Sequence, residues 1–264
     1  MRACLSVFPG GGLAIVGRMA DECFRHPRLA ALYDVLDTDR GDLVPYLRMA
    51  DEFGARSVLD IGCGTGVFAQ LLADRGLDVV GVDPAGASLD VARARTGAHR
   101  VRWIEGDATS LPALRVDLAT MTANVAQAIT DRPSWQGTLR GAYEALRPGG
   151  HLVFETRDPA RRAWEQWTRA HTHRVVEVPG AGTVESWCRL LDVSGPLVTF
   201  RWTYVLGADG EVLTSDSTLR FRERDEVAAD LAEQGYRLRE VRDAPDREGR
   251  EFVFVARRPE EDGR

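Results

Sequence analysis

The stretch that decides the fold is Val58-Leu59-Asp60-Ile61-Gly62-Cys63-Gly64-Thr65-Gly66. It predicts a buried strand that runs through a glycine turn into a helix. Glycines at alternate positions let the backbone approach a ligand closely and present amide N–H groups at a helix N-terminus. A tight turn without a ligand uses the same residues, so the glycines alone are weak evidence. Asp60, just before them, adds a carboxylate that can receive an ammonium group.

Outward from this turn, short β-branched runs alternate with helical segments between residues 57 and 152. This pattern predicts βαβ units around a parallel sheet. The predicted strands are 57–61, 78–82, 101–105, 117–121 and 151–155. The predicted helices are 28–36, 43–53, 66–75, 88–95 and 134–146, the last of which is ended by Arg147-Pro148-Gly149-Gly150.

The pattern changes after residue 155. A predicted helix over 159–169 precedes four strand-like runs at 174–178, 183–191, 197–206 and 212–221, which predict an inserted antiparallel sheet. A helix at 225–234 and strands at 236–241 and 251–256 follow, and the last two strands should pair as an antiparallel hairpin because their connection is short. The predicted fold is therefore α/β, with a doubly wound, seven-stranded, mostly parallel sheet whose last strand is antiparallel, plus the inserted antiparallel β-sheet.

These elements predict one domain over residues 27–257, with the inserted sheet at about 174–221 and a charged tail at 258–264. Residues 1–26 are interpreted as an N-terminal extension that can be disordered. Because Met19 precedes a helix-like run, residues 1–18 are either part of that extension or a mis-assigned start. The first 16 residues have no cleavage pattern after a long apolar core, so neither a secretion signal nor a membrane anchor is predicted.

Composition excludes several kinds of function. All 34 basic residues are Arg and none is Lys, which excludes a Schiff-base lysine, a pyridoxal-phosphate site and a Walker-type phosphate loop. The four cysteines are far apart and form no CxxC pair, so no metal site is predicted and a reducing cytoplasm is the expected location. The net charge of -6 argues against nucleic acid as a partner.

Two further carboxylates stand at predicted strand ends, where a nucleoside would need them. Asp83 ends the second strand and can accept both ribose hydroxyl protons, and Asp107 ends the third and can accept from an adenine amino group. Any one such acid is more often a helix cap or a solvated turn residue. Together with Asp60 they lie on the sheet edge that binds ligands, and this favours a binding site.

Four segments, LDIGCGTG, VVGVDPAGASLDVAR, IEGDATSLP and LRPGGHLVFE, resemble the successive motifs of class I S-adenosylmethionine-dependent methyltransferases of the small-molecule type. The resemblance covers residues 57–155 and extends to about 257. It implies S-adenosyl-L-methionine as cofactor. The implied cofactor-binding residues are Asp60, Gly62, Gly64 and Gly66 for the methionine moiety, Asp83 for the ribose, and Leu89, Asp107 and Ala108 around the adenine. Cys63 and Pro84, beside them, are also implied to bind the cofactor.

In similar enzymes the segment after the fourth strand, here residues 122–127, borders the reacting methyl group. This chain lacks the Asn/Asp-Pro-Pro-aromatic motif that enzymes methylating amino groups of DNA or protein glutamine carry there. That amino-group chemistry is therefore not expected. Because it lies in this segment, Asn124 is a candidate for cofactor binding and for catalysis. A strand-end turn residue is the equal alternative.

A general base is needed only if the methyl acceptor must lose a proton. His171 and His173, expected to alternate on one strand face, are candidates, although an HxH pair more often lies at the surface or in packing. Glu155 and Arg157 after the fifth strand are comparably placed, with ion pairing as the alternative.

The acceptor pocket is the least specified part of the site. Arg157 and three aromatic residues, Tyr33, Tyr46 and Trp164, are candidates for its walls, with the protein core as the alternative for the aromatic side chains. The predicted function is methyl transfer from S-adenosylmethionine to an N or O nucleophile of a small molecule.

Two alternative functions remain. One is an S-adenosylmethionine-binding protein without transferase activity. The other is an NAD-dependent oxidoreductase, which would share the fold and Asp83. The chain lacks the GxGxxG spacing of NAD-binding loops, however, and such an enzyme would have no use for Asp60 or Asp107. A small-molecule substrate is the expected partner, no membrane partner is expected, and the exposed edges of the inserted sheet would allow a homodimer.

Overall fold

The main sheet has seven strands and is mostly parallel. The structure, a computed structural model, describes residues 20–260. The strands of this sheet are β1 (Ser57–Ile61), β2 (Asp78–Asp83), β3 (Val101–Glu105), β4 (Val116–Met121), β5 (Leu146–Arg157), β10 (Arg237–Asp243) and β11 (Glu251–Arg257). Their order is β10-β11-β5-β4-β1-β2-β3, and β11 is antiparallel to both of its neighbours. The predicted fold class and the predicted terminal hairpin are confirmed.

Helices cover both faces of this sheet. The α-helices are α1 (Glu22–Arg25), α2 (Pro27–Leu36), α3 (Val44–Glu52), α4 (Val67–Asp74), α5 (Gly86–Ala94), α6 (Val125–Ala128), α7 (Arg132–Ala145), α8 (Arg169–Thr172) and α9 (Arg224–Glu233). Consecutive strand residues pack into opposite layers: Val58 and Val153 face the core beside Phe68, whereas Leu59 and Phe154 face the core beside Trp135. A sheet buried on both faces explains the continuous apolar runs of its central strands.

The inserted sheet is separate and wholly antiparallel. Its strands are β6 (Arg174–Val178), β7 (Gly182–Ser194), β8 (Leu197–Leu206) and β9 (Val212–Arg220), paired in chain order. Val178, Val184 and Leu206 form a small apolar cluster with Leu32 of α2. The insert therefore packs against the N-terminal part of the chain.

Residues 20–36, called here the N-terminal strap, run along the C-terminal edge of the main sheet. The Cys23 amide donates to Ser215 Oγ of β9 over 2.9 Å, and Ser88 Oγ of α5 donates to the Phe24 carbonyl over 3.0 Å. Residues 20–26 of the predicted N-terminal extension belong to this strap and make these two bonds to β9 and α5. Residues 1–19, and with them the predicted start at 1–18, lie outside the described residues, as do residues 261–264 of the predicted tail.

The predicted helix over 159–169 is wrong. Two short 3-10 turns, Pro159–Arg161 and Ala163–Gln166, occupy this stretch because Arg162 between them adopts a left-handed φ of 46°. The predicted stop at 147–150 is also corrected in part: α7 ends at Ala145, and these residues already belong to β5. No helix between residues 20 and 260 is long and apolar enough to cross a membrane.

Candidate active site

A cavity of about 260 Å³ lies at the C-terminal edge of the main sheet, under the N-terminal strap. It brings together the glycine turn after β1, the end of β2, and the segments that follow β3 and β4. The predicted site residues that line it are Tyr33, Asp60, Gly62, Cys63, Gly64, Asp83, Pro84, Asp107 and Ala108. Parallel strands end at one edge of a sheet, which is why residues distant in sequence converge here.

Asp60, at the end of β1, is 1% exposed and has one satisfied carboxylate oxygen. Thr120 Oγ1 donates to Asp60 Oδ1 over 3.1 Å, whereas the buried Oδ2 has no hydrogen-bond partner among residues 20–260. Burial raises the pKa of Asp60 to about 7. A buried carboxylate oxygen without a donor is costly, so the atom fits a donor that a ligand brings.

Asp83, at the end of β2, organises the glycine turn. Its Oδ2 accepts from the Gly64 amide over 2.8 Å, and its Oδ1 accepts from the Ala85 amide over the same distance. Burial raises the pKa of Asp83 despite these two bonds. Because each carboxylate oxygen has two lone pairs, a ribose hydroxyl could still bind there.

Glycine occupies the three positions of this turn for different physical reasons. All adopt positive φ, but a Cβ on Gly62 would meet Val125 at 2.5 Å, and one on Gly66 would meet the Trp103 ring at 2.5 Å. A Cβ on Gly64 would have no protein atom within 4 Å. Gly62 and Gly66 are thus required by packing, and only Gly64 faces open space at the cavity.

Asp107 caps the short 3-10 turn Ala108–Ser110 after β3. Its Oδ1 accepts from the Thr109 amide over 2.8 Å and from the Thr109 hydroxyl. The capping alternative for this residue is therefore realised, while its position on the cavity wall leaves the adenine role as a prediction.

The segment after β4 makes a strained turn at the cavity. Ala123 and Asn124 both adopt left-handed φ values, 55° and 61°, which cost a residue with a Cβ roughly 1 kcal/mol or more. Thr122, Ala123 and Val125 line the cavity, but Asn124 does not. Its amide N–H donates to Glu155 Oε1 over 2.7 Å, and its buried Oδ1 has no partner in the described part of the chain.

Several predicted site residues lie beside the cavity without lining it. Gly66 packs against Trp103, and Leu89 of α5 is fully buried; neither lines the cavity, and their cofactor contacts stay predictions. Tyr46 is buried and donates from its hydroxyl to Glu155 Oε2, which realises the core alternative for this aromatic residue. Tyr46, a candidate for the acceptor wall, therefore does not line this cavity.

Arg157 and Trp164 are also displaced from the cavity wall. The Arg157 side chain donates to Gln127 Oε1 over 3.2 Å and lies over the Trp167 ring. The Trp164 ring packs edge-on against Phe221, with 4.6 Å between centroids. Both lie at the junction with the inserted sheet, where they stay candidates for acceptor contacts only.

His171 and His173 do not form the predicted strand. His171 lies in α8 and His173 caps that helix at its C-terminus, where both are solvent-facing or partly exposed. His171 Nδ1 pairs with Thr168 Oγ1 and His173 Nε2 with Glu185 Oε1, each over 2.9 Å. Neither lines the cavity, so the surface alternative describes them better than catalysis.

Arg40 lines the cavity and was not found by sequence reasoning. Its charge acts on two neighbours in the cavity, because it lowers the pKa of Asp60 against the larger effect of burial and does the same at Tyr33. Arg40 sits in a polar loop without a motif, so no sequence signal marks it. Phe24 of the strap lines the cavity as well.

The charged residues of the cavity wall are predominantly acidic. Among residues 20–260 they are Asp21, Asp60, Asp83, Asp107, Asp131 and one cation, Arg40. Such a wall favours a ligand with positive charge. Within residues 20–260, no three His, Cys, Asp or Glu side chains come together as a metal site would require. A wider groove of about 600 Å³ beside α7 shares Ala108 but no other predicted site residue.

Residues 58–150 match the protein family described as methyltransferase domain. Over 132 residues the chain is 34% identical to a malonyl-[acyl-carrier protein] O-methyltransferase of Serratia marcescens, covering 49% of each protein. Over 119 residues it is 34% identical to a cypemycin N-terminal methyltransferase of a Streptomyces species, covering 45% of this chain and 49% of the relative. The chain thus spans about half the length of the curated relatives it matches.

Solved structures share the fold over almost the whole chain. A sugar N-methyltransferase from Streptoalloteichus superposes with a TM-score of 0.72 at 22% identity, covering 97% of this chain and 100% of that one. An amino pentose methyltransferase from Micromonospora echinaspora, solved with S-adenosylmethionine bound, superposes with a TM-score of 0.66 at 23% identity, covering 86% and 96%. At these identities the likeness establishes the fold alone.

Proposed function

We propose that this chain, which belongs to the Rossmann-like class I S-adenosylmethionine-dependent methyltransferases, transfers a methyl group from S-adenosyl-L-methionine to an N or O nucleophile of a small-molecule acceptor. The observation that carries the proposal is the buried, unpartnered Oδ2 of Asp60 at the wall of an acid-rich cavity. An ammonium group would satisfy that oxygen and would restore the ionised carboxylate.

Arg40, which carries a positive charge, also supports S-adenosylmethionine as the cofactor. S-adenosylmethionine carries an amino acid with both an ammonium and a carboxylate. Asp60 and Arg40 line one cavity and interact electrostatically, so together they would bind the two ends of that amino acid. Asp83, which already fixes Gly64, would add an acceptor for the ribose, and Gly64 leaves room for the ligand's close approach.

When bound, S-adenosylmethionine would supply an electrophilic methyl group on its sulfonium; the acceptor would bond to the methyl carbon in line with the breaking S–methyl bond, and S-adenosylhomocysteine would leave. The protein's residues would bind, orient and exclude water. Phe24 and Tyr33 of the strap cover the cavity, and burial raises the pKa of Tyr33 to about 12, so its hydroxyl stays protonated. Tyr33 would thus be a hydrogen-bond donor or wall residue.

The acceptor would enter between the strap and the inner face of the inserted sheet. That face carries half-buried aromatic side chains: Phe200, Trp202 and Tyr204 on alternate positions of β8. The hydrogen bond from the Cys23 backbone amide to Ser215 Oγ joins the insert to the strap, and the strap lines the cavity. This connection supports a substrate-covering role for the insert, and the cavity volume of about 260 Å³ supports a small molecule over a polymer.

The names of relatives support both kinds of nucleophile, since one is an O-methyltransferase and another a sugar N-methyltransferase. A cytoplasmic location belongs to the proposal and is supported by the free thiols of Cys23, Cys63 and Cys188. So does a homodimer through the insert, supported by Val175 and Val212, which are 56% and 57% exposed on its two edge strands. Sedimentation of the purified protein tests that assembly.

Titration calorimetry with S-adenosylmethionine, S-adenosylhomocysteine and NAD tests the cofactor. We expect both nucleosides to bind and NAD to bind far more weakly. Methyl-labelled S-adenosylmethionine, incubated with fractionated metabolites, RNA and protein, then tests the acceptor class. Label in the metabolite fraction is the expected result; tighter binding of NAD, or label only in RNA or protein, would overturn the proposal.

A further inference from the structure

Glu155, near the C-terminal end of β5, is a buried carboxylate whose two oxygens bind two different elements. Its Oε1 accepts from the backbone amide of Asn124 over 2.7 Å, and its Oε2 accepts from the Tyr46 hydroxyl of α3. Glu155 does not line the cavity. With both oxygens engaged and no access to a substrate, it is poorly placed to act as the general base.

The Asn124 amide belongs to the strained turn at the cavity wall. Ala123 and Asn124 adopt left-handed backbone conformations, and Thr122, Ala123 and Val125 face the space where the cofactor would lie. A left-handed turn without glycine persists only where its surroundings hold it. Within the described residues, the side chain that holds an amide of this turn is Glu155.

We propose that Glu155 is a positioning residue that holds the turn 122–125 against the cofactor, with Tyr46 orienting its carboxylate. This inference rests on the proposed function, because it assigns the turn to the wall of the S-adenosylmethionine site. The carboxylate fixes β5, α3 and the turn at one point. Loss of that point lets the turn relax, and displacements of about 1 Å in a binding wall are enough to lower affinity or rate strongly.

A second buried carboxylate provides a matched control. Glu251 lies on β11 next to β5, where it pairs with Arg157, while Val253 pairs with Glu155. Glu251 Oε1 accepts from Arg247 over 2.7 Å, and no hydrogen bond joins it to the turn within residues 20–260. Removing either glutamate therefore disturbs a buried charge on the same pair of strands, but only Glu155 touches the turn.

The experiment compares Glu155→Ala, Glu155→Gln and Glu251→Ala with the unmodified full chain. Calorimetry with S-adenosylhomocysteine measures the Kd, and hydrogen exchange measures the Asn124 amide without ligand. We expect Glu155→Ala to raise the Kd at least tenfold and to speed exchange at Asn124. Glu155→Gln should stay within about threefold, because its carbonyl can still accept from Asn124 while its amide donates to Tyr46. Glu251→Ala should lower the Tm and leave both readouts unchanged.

Two results would overturn the inference: a Glu155→Ala protein with the original Kd and slow Asn124 exchange, or an equal loss of affinity in Glu251→Ala. If Glu155→Ala fails to fold, Tyr46→Phe replaces it, with an expected two- to fivefold rise in Kd, and an unchanged Kd would then overturn the inference. If the unmodified protein binds no S-adenosylhomocysteine, the proposed function fails instead. Exchange at Asn124 in the ligand-free variants still shows whether Glu155 holds the turn.

Discussion

Thr120 donates a hydrogen bond to one carboxylate oxygen of Asp60 over 3.1 Å, and the other oxygen of Asp60 is buried without a partner among the residues described. The pair joins the ends of β1 and β4 at the floor of the cavity. One hydroxyl donor does not compensate the burial of this carboxylate, and its pKa rises to about 7 as a result. A ligand that brings a positive charge to this carboxylate would therefore stabilise the site.

Asp60→Asn should move stability and binding in opposite directions. The folded protein retains a proton on Asp60 that the unfolded chain releases above its ordinary pKa of 3.8, so the free energy of unfolding falls as the pH rises from there to about 7. In the variant, which has no carboxyl group at this position, the fall in the free energy of unfolding should be smaller by roughly 2 to 4 kcal/mol, since one pKa unit is worth ~1.4 kcal/mol. Its Kd for S-adenosylhomocysteine should rise at least tenfold.

Denaturant titrations at pH 4, 5.5 and 8, with calorimetry at pH 8, check both expectations. The fall of stability with pH should shrink without vanishing, because burial also raises the pKa of Glu155 to about 7. An Asn variant that binds as tightly as the original chain would remove Asp60 from the ligand site.

Asp83→Ala should weaken both the fold and the binding of S-adenosylhomocysteine. It removes the acceptor for the Gly64 and Ala85 amides as well as any bond to the ribose, and a hydrogen bond to a charged group is worth ~1.5 to 3 kcal/mol. Asp117→Ala is the matched control, because Asp117 is a buried acceptor for the Arg56 and Ser57 amides at the opposite edge of the sheet. It should lower the Tm alone; an equal loss of affinity in both variants would make the effect of Asp83 merely structural.

Gly64→Ala should lose affinity for S-adenosylhomocysteine at least tenfold while remaining folded. The added Cβ meets no protein atom, so the cost to the fold is the left-handed backbone conformation, ~1 to 2 kcal/mol. Gly76→Ala carries the same kind of strain, at φ +86° with open space around it, and does not line the cavity. Thermal unfolding should show similar losses for the two variants, and calorimetry should separate them. Equal affinities would mean that Gly64 is a plain turn residue.

The successful sequence predictions depend on local signals. The glycine turn and the acids Asp60, Asp83 and Asp107 lie at fixed spacing from strands whose apolar runs are unmistakable, so the sheet topology carries them to one edge. The sequence predicts the inserted sheet equally well, because β-branched runs alternate there with turn residues. Its four strands lie within three residues of the predicted bounds.

The failures depend on tertiary contacts that no local pattern encodes. Arg40 acts electrostatically on Asp60 only because the loop after α2 brings it to the cavity wall. The hydrogen bond from the Asn124 backbone amide to Glu155 requires a turn whose left-handed conformations no sequence pattern indicates. The helical periodicity of 159–169 is overridden because Trp164 and Trp167 turn to pack on the aromatic residues of the insert. Packing outweighs propensity in such a connection.

Arg40→Gln should discriminate between ligands that differ in their amino acid. If Arg40 binds the carboxylate, its loss should weaken S-adenosylhomocysteine about tenfold or more and leave 5′-methylthioadenosine, which has no amino acid, within about twofold. Arg48→Gln, at an exposed position on α3, is the control and should affect neither ligand. Calorimetry with both nucleosides decides, and an equal loss for the two would place Arg40 at the nucleoside or in the fold instead.

Asp34→Ala should speed the release of bound cofactor. Asp34 lies in the strap; its Oδ1 accepts from the Thr65 hydroxyl over 2.7 Å and its Oδ2 pairs with Arg95, which itself donates to the Thr65 carbonyl over 2.6 Å. These bonds join the strap that covers the cavity to the glycine turn. The ion pair is partly exposed and contributes little alone, so we expect the bonds of Asp34 to Thr65 and Arg95 together to contribute ~1.4 kcal/mol, or about tenfold in the dissociation rate.

Displacement of S-adenosylhomocysteine in a stopped-flow experiment measures that rate. Arg75→Ala, which breaks an exposed pair with Asp51 elsewhere, is the control and should leave the rate unchanged. An Asp34→Ala protein with the original rate would show that the strap opens without breaking this contact.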